Sequence, residues 1–126
     1  MIQQQTILHV ADNSGAKEVK CIKVSKGFKR RTATLGDVIT ISVKQLRNKA
    51  RFTAKVSKGE IYKAVILRVK NKHSLLDGAK VWFNENSVCL INKQGKPIAT
   101  RIIGPIPKIL KKKNFLKLIN ISGGFI

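Results

Sequence analysis

The chain has 126 residues, of which 26 are Lys or Arg and six are Asp or Glu, giving a formal net charge of +20 at pH 7. An apolar fraction of 43% is that of a globular protein, and this length makes a single domain whose core needs no metal or disulfide staple. So large an imbalance opposes compaction through self-repulsion and makes a polyanion the natural partner; nucleic acid is favoured over an anionic membrane because most of the chain reads as strands.

The opening MIQQQT has neither an Arg-rich amphipathic presequence nor an apolar signal core, so the protein is expected to act where it is made. No apolar run approaches the roughly 20 residues that span a bilayer, and no membrane partner is expected. Two β-rich runs, Ile7 to Ala11 and Val19 to Val24, flank Asp12-Asn13-Ser14-Gly15. Asn and Gly tolerate positive φ there and Asp can bond its own turn, which predicts a hairpin. Val19 and Cys21 would line one face with Lys20 and Lys23 reaching out, and Ile22 and Val24 break the alternation as a bulge does.

Ser25 to Thr34 is a loop carrying Lys26, Lys29, Arg30 and Arg31 beside Phe28. Three consecutive cations next to a ring suit a phosphate contact with a base or ribose contact, although Phe28 would equally well tuck into the core. Gly36-Asp37 introduces Val38 to Lys44, where Ile39, Ile41 and Val43 alternate with Thr40, Ser42 and Lys44 in the clearest strand of the sequence. Gln45 to Lys58 carries Arg47, Lys49, Arg51, Lys55 and Lys58 around Phe52 with no acid. It reads as a basic extension, a β-ribbon in one version, that orders only against RNA.

Ile61 to Val69 is nearly continuous in apolar residues, which implies cover on both faces of a strand. A polar loop, Lys70 to Leu76, leads through Asp77-Gly78 to a strand at Ala79 to Phe83. Asn84-Glu85-Asn86 then turns into Ser87 to Ile91 as a second hairpin, and Ile98 to Ile103 is a last short strand. Short strands punctuated by turns indicate a mainly β protein, a small closed barrel or a sandwich. Pro107 is placed like the first residue of a helix, and Ile109, Leu110, Phe115, Leu116, Leu118 and Ile119 follow at helical spacings, predicting one or two short helices. Lys111, Lys112 and Lys113 face solvent or phosphate, and Ser122 to Ile126 is expected to be irregular. Residues 1–104 thus read as a barrel with basic loops and 105–126 as a helical segment and tail of the same domain.

Nothing in the sequence assembles a catalytic site. Asp12, Asp37, Glu60, Asp77 and Glu85 fall in turns, which leaves Glu18 between Lys17 and Lys20. His9 and His73 lie far apart with no metal-ligand spacing, and no phosphate-loop or nucleophile-elbow pattern occurs. Cys21 and Cys89 are alone on predicted strands, which suits buried thiols in a reducing compartment. No enzyme activity, cofactor, metal or small-molecule substrate is expected.

The runs MIQQQTILHVADNSGAKEVKCIKV, KRRTATLGDVI, GEIYKAVILRVK, DGAKVWFNENSVCL, GKPIATRIIGP and FLKLI cover nearly the whole chain. Together they resemble the universal large-subunit ribosomal protein fourteen, bacterial and organellar type; ADNSGA before a CIKV strand, with TRIIGP downstream, is the specific part. The resemblance implies a five-stranded β-barrel with a C-terminal helical segment and no catalytic activity. It also implies binding to large-subunit rRNA near the small-subunit face, contact with ribosomal proteins numbers three and nineteen, and a bridge to small-subunit rRNA. A docking surface for the ribosome silencing factor comes with the family, carried over by motif to Thr100, Arg101 and Lys117. Cys89 stands where the family usually has valine. The loops at 45–58 and 70–76 and the tail NISGGFI also depart from the pattern.

The leading expectation is a structural rRNA-binding protein that neutralises phosphates through Lys26, Lys29, Arg30, Arg31, Arg47, Lys49, Arg51 and Lys55. The alternative is a free single-strand-binding barrel of the OB type acting as an RNA chaperone, which needs its aromatics clustered on one sheet face. Lysine outnumbers arginine by 20 to 6, with Ile and Asn abundant. That composition fits an A/T-rich genome and a protein encoded and used inside a mitochondrion, with bacterial cytoplasm or plastid as the alternatives.

Overall fold

A computed structural model describes residues 1–50, 52–113 and 115–126. Its strands are β1 (Ile2–Gln3), β2 (Ile7–Val10), β3 (Ala16–Val24), β4 (Thr32–Ala33), β5 (Val38–Leu46), β6 (Ile61–Arg68), β7 (His73–Ser74), β8 (Lys80–Val81) and β9 (Ser87–Ile91). Two short helices follow, α1 (Ile109–Lys112) and α2 (Leu116–Asn120). Strands β2, β3, β5, β6 and β9 close into a barrel. Neighbours run antiparallel except at the seam, where β9 returns parallel to β2. Closure consumes the edges that an open sheet this small would expose.

The opening hairpin forms where the turn residues place it. Leu8 sits opposite Val19, and Gly15 takes φ 102 in the turn, a conformation a side chain would strain. Val19 and Cys21 are buried while Lys23 is exposed. The ladder to β5 slips between Cys21 and Lys23, the expected bulge, and it leaves Ile22 at the surface.

Hydrophobic patterning explains which strands are covered once and which twice. In β5 only Ile39, Ile41 and Val43 enter the barrel. In β6 the run Ala64 to Leu67 is wholly buried because alternate residues meet different partners. Ala64 and Ile66 pack inside with Leu8, Val19, Ile41 and Leu90, whereas Val65 and Leu67 pack outside against Ile106, Leu110 and Leu118. The same division in β9 sends Val88 and Leu90 inward and Cys89 and Ile91 outward. The C-terminal segment is therefore a lid over the outer faces of β6 and β9. Each fully buried Leu or Ile in it contributes about 1.5–3 kcal/mol.

Three expectations are overturned. The stretch Ala79 to Phe83 shrinks to β8, which pairs with β7 and not with Ser87 to Ile91. The reason is that both sides of β9 are occupied by β2 and β6. No strand forms over Ile98 to Ile103, because the closed barrel offers no free edge for a sixth one. Instead Ile98, Ile102 and Ile103 donate their N–H groups to Leu90, Ile121 and Ala11, crossing the barrel end. Finally, Gln45 to Lys58 contains no ribbon among its described residues and is held without RNA. Its first residues complete β5, Asn48–Ala50 forms a single 3-10 turn, and Val56 enters the core at 4% exposure. The N–H groups of Arg47 and Lys55 bond the carbonyls of Gly15 and Ser14, both at 2.9 Å.

The helical expectation stands, with α1 starting two residues after Pro107. The tail is irregular, yet it is tied down: the Ile106 N–H donates to the Gly124 carbonyl, the Ile126 N–H to the Ile106 carbonyl and the Lys108 N–H to the Ile126 carbonyl. No helix among the described residues is long and apolar enough to cross a membrane.

Candidate nucleic-acid interface

The acids come first, because where they are spent decides what the cations are free to do. Asp12 is fully buried. Its Oδ1 accepts the Ser14 N–H at 2.9 Å and the Ser14 hydroxyl, and its Oδ2 accepts the Leu90 N–H at 2.9 Å. Asp37, with a side chain only 1% exposed, accepts Lys26 Nζ at 3.0 Å, Lys113 Nζ at 2.9 Å and the Thr34 N–H at 2.9 Å. Burial alone would raise its pKa, but the bonds from Thr34, Lys113 and Lys26 outweigh it and hold the carboxyl at about 2. Glu60 accepts the Tyr62 hydroxyl, and Glu85 lies 3.5 Å from Arg68 Nη1. Among the described residues, ion pairs engage only Lys26, Lys113 and Arg68. Glu18 is half-buried and Asp77 exposed, and against 26 Lys and Arg these acids leave the remaining surface overwhelmingly positive.

The expected contact residues fall into two groups, one on each of the two basic segments. A cleft of about 670 Å³ is lined by Gln3, Gln4, Lys23, Lys29, Arg30 and Arg31. Arg30 is steadied there by Nε donating to the Thr32 carbonyl at 3.2 Å. Phe28 is 91% exposed, which settles its two readings in favour of a free ring, and Lys29 Nζ sits 5.4 Å from its centroid. Lys26 belongs to this loop but spends its ammonium on Asp37. A second cleft, of about 720 Å³, is lined by Lys17, Gln45, Arg47, Asn48 and Lys58. Arg47 donates Nη2 to the Val10 carbonyl at 3.1 Å. Lys49 is exposed nearby, and Lys55 reaches the Ile98 carbonyl at 3.5 Å. Arg51 lies outside the described residues.

Thr100 and Arg101 are exposed on the segment that crosses the barrel end, and Lys117 is exposed on α2. The two elements adjoin through the Ile102 N–H bonded to the Ile121 carbonyl at 2.9 Å. Sequence reasoning missed what holds the first of them. Asn13 Oδ1 accepts the N–H groups of Thr100 and Arg101, while its Nδ2 donates to Thr100 Oγ1. It also missed Arg68, which bonds Ser87 Oγ at 2.7 Å and the Ile103 carbonyl at 2.8 Å. No local pattern around Arg68 marks that role; the turn residues at 12–15 were a signal for Asn13, though not for its partner.

The exposed rings Phe28, Phe52, Trp82 and Phe125 sit on four separate segments and on none of the barrel strands. A stacking platform on one sheet face, the requirement of the single-strand-binding alternative, is therefore not built here. Cys21 and Cys89 are free and buried. Burial raises the pKa of both thiols, which leaves them unreactive packing groups. Among the described residues no three His, Cys, Asp or Glu side chains are grouped to hold a metal ion.

Barrel and surface together define a class: a small cationic β-barrel protein whose loops carry charge that its own acids leave uncompensated. Over residues 1–126 the sequence matches the family Ribosomal protein L14p/L23e, and the chain belongs to that family. The family is one of structural, non-enzymatic proteins of the large ribosomal subunit, and it places the chain in the ribosome with RNA and other ribosomal proteins around it.

Proposed function

We propose that this protein is a structural constituent of the large subunit that binds large-subunit rRNA through its basic loops and contributes to the face that meets the small subunit. The observation that carries the reading is the spending of Asp12, Asp37, Glu60 and Glu85 on internal contacts. What remains is a rigid barrel surrounded by uncompensated cations, and phosphate is the ligand that neutralises them. Lys29, Arg30 and Arg31 act from one cleft; Arg47, Lys49, Arg51 and Lys55 act from the other loop. Lys26, half-exposed while paired with Asp37, is the least available of the set. Residues 1–104 supply the rRNA-binding barrel, and 105–126 close it as part of the same domain.

The partners that follow are ribosomal proteins numbers three and nineteen, small-subunit rRNA across an intersubunit bridge, and the ribosome silencing factor at Thr100, Arg101 and Lys117. The lysine-rich composition supports a mitochondrial ribosome, with the gene in the organelle, over a bacterial or plastid one; a gene in nuclear DNA would refute that reading. Sedimentation of ribosomes through a sucrose gradient tests the central reading. Stoichiometric recovery with large subunits at moderate salt is expected, whereas a free RNA chaperone of the OB type would stay near the top of the gradient.

A further inference from the structure

The β7–β8 ribbon projects from the barrel as a two-faced strip. His73 pairs with Val81 and Ser74 with Lys80. Burial alternates along both strands: His73 and Val81 are half-buried, while Lys72, Ser74, Lys80 and Trp82 are exposed. In a strand, residues two apart share a face, so Ser74 and Lys80 lie on the outer face, and one step along the ribbon Lys72 meets Trp82 on that same face. The contact is direct, with Lys72 Nζ 5.3 Å from the centre of the indole. Phe83 turns the other way and packs against the core, so the adjacent rings do different work. Trp82 remains 56% exposed, a large apolar surface with Lys72 and Lys80 on its face, while the one acid of the ribbon, Asp77, lies in the turn at its far end.

We infer that Trp82, Lys72 and Lys80 form a single-nucleotide site, in which one unpaired RNA base stacks on the free face of the indole and its phosphate rests on the two ammonium groups. The inference rests on the rRNA-binding reading and deepens it, because it adds a base contact to an interface otherwise made of phosphate contacts. Stacking suits any base, so the site takes a looped-out nucleotide without choosing its identity. A base-paired helix would not use it, because its bases offer no free face for the indole.

Trp82 is the only tryptophan in the chain, so its emission reports the site alone. Full-length protein is titrated with an unstructured oligouridylate of about ten nucleotides and, separately, with inorganic polyphosphate of matched charge. Saturable quenching by the oligonucleotide but not by polyphosphate is expected. Trp82→Leu should weaken oligonucleotide binding about tenfold and leave polyphosphate binding unchanged, with Trp82→Phe retaining most of the affinity. Oligonucleotide binding without quenching, equal quenching by polyphosphate, or an unaltered Trp82→Leu would overturn the site and leave the rRNA-binding reading intact. Failure to bind either polyanion would overturn both.

Discussion

Asn13 and Thr100, 87 residues apart, are joined side chain to side chain, Asn13 Nδ2 donating to Thr100 Oγ1 at 2.7 Å. The same amide's Oδ1 accepts the N–H groups of Thr100 at 3.0 Å and Arg101 at 3.2 Å. One side chain of the hairpin turn thereby satisfies three groups on a segment that has no strand partner of its own. Asp12, its neighbour, does the same for β9 through the Leu90 N–H. The turn is thus a junction for the barrel end as well as a reversal of the chain.

Replacing Asn13 with Ala should loosen the 100–101 segment without disturbing the core. The bonds are solvent-exposed, so a net loss of about 1 kcal/mol is expected, read as a fall in Tm of about 4 °C. The salt dependence of RNA binding should not change. A variant as stable as the parent would show that the segment is held by the Ile102 and Ile103 backbone bonds alone.

Asp37 makes stability depend on acid in a defined window. Its carboxyl titrates at about 2 in the folded protein against an ordinary 3.8. The native state therefore binds this proton less tightly than the unfolded chain. The contribution, about 2 kcal/mol, is present in full above pH of about 4 and lost as pH falls towards about 2. Denaturant unfolding of the parent and of Asp37→Asn, followed from about pH 6 to about pH 2, should give a stability gap that narrows through that window. A gap independent of pH would mean that the Lys26 and Lys113 contacts contribute nothing through charge.

Residues whose partners lie close in sequence, or whose burial follows a simple period, were readable in advance. Asn13 and Gly15 marked the hairpin, Ile39, Ile41 and Val43 marked β5, and the unbroken run at Ala64 to Leu67 announced a strand covered on both faces. Pairing was less legible. The apolar spacing of Ile98, Ile102 and Ile103 fits a strand, but whether a strand forms depends on a free edge, and barrel closure between β2 and β9 had removed it. Val56 looked like one residue in a cationic loop because its burial depends on backbone bonds to Ser14 and Gly15. In the first cleft, Lys29, Arg30 and Arg31 lie on the loop where the sequence places them. That Lys26 among them faces Asp37 was not legible there, since the ion pair spans 11 residues and depends on how the loop folds back.

Gly104 separates two costs of a side chain. It adopts φ +86, and a Cβ there would stand 2.6 Å from Arg68 Nη1. Gly95 has φ +79 with open space around it. Gly95→Ala should therefore cost about 1–2 kcal/mol from backbone strain alone. Gly104→Ala adds displacement of the guanidinium that bonds Ser87 and Ile103, for a total of about 3 kcal/mol. Equal losses in the two variants, measured by urea unfolding, would mean that Arg68 moves aside freely.

The two arginines beside Gln3 and Gln4 in the first cleft offer the most direct test of how the charge is used. Each phosphate neutralised releases condensed counterions, so the slope of log affinity against log salt counts such contacts at about 0.7 to 0.9 apiece. Arg30→Gln combined with Arg31→Gln should flatten that slope by about 1 to 2 for a large-subunit rRNA fragment, while leaving thermal stability within about 0.5 kcal/mol because both side chains are exposed. The same substitution at Lys26 should behave in the opposite way. It should cost stability by removing one of the two ammonium groups that pair with buried Asp37 and barely alter the slope, because an ammonium held by a carboxylate has little counterion displacement left to offer. Were Lys26→Gln to flatten the slope as much as the arginine pair, its ammonium must leave Asp37 for phosphate when RNA binds. Asp37 would then be a holding site for the cation in the free protein.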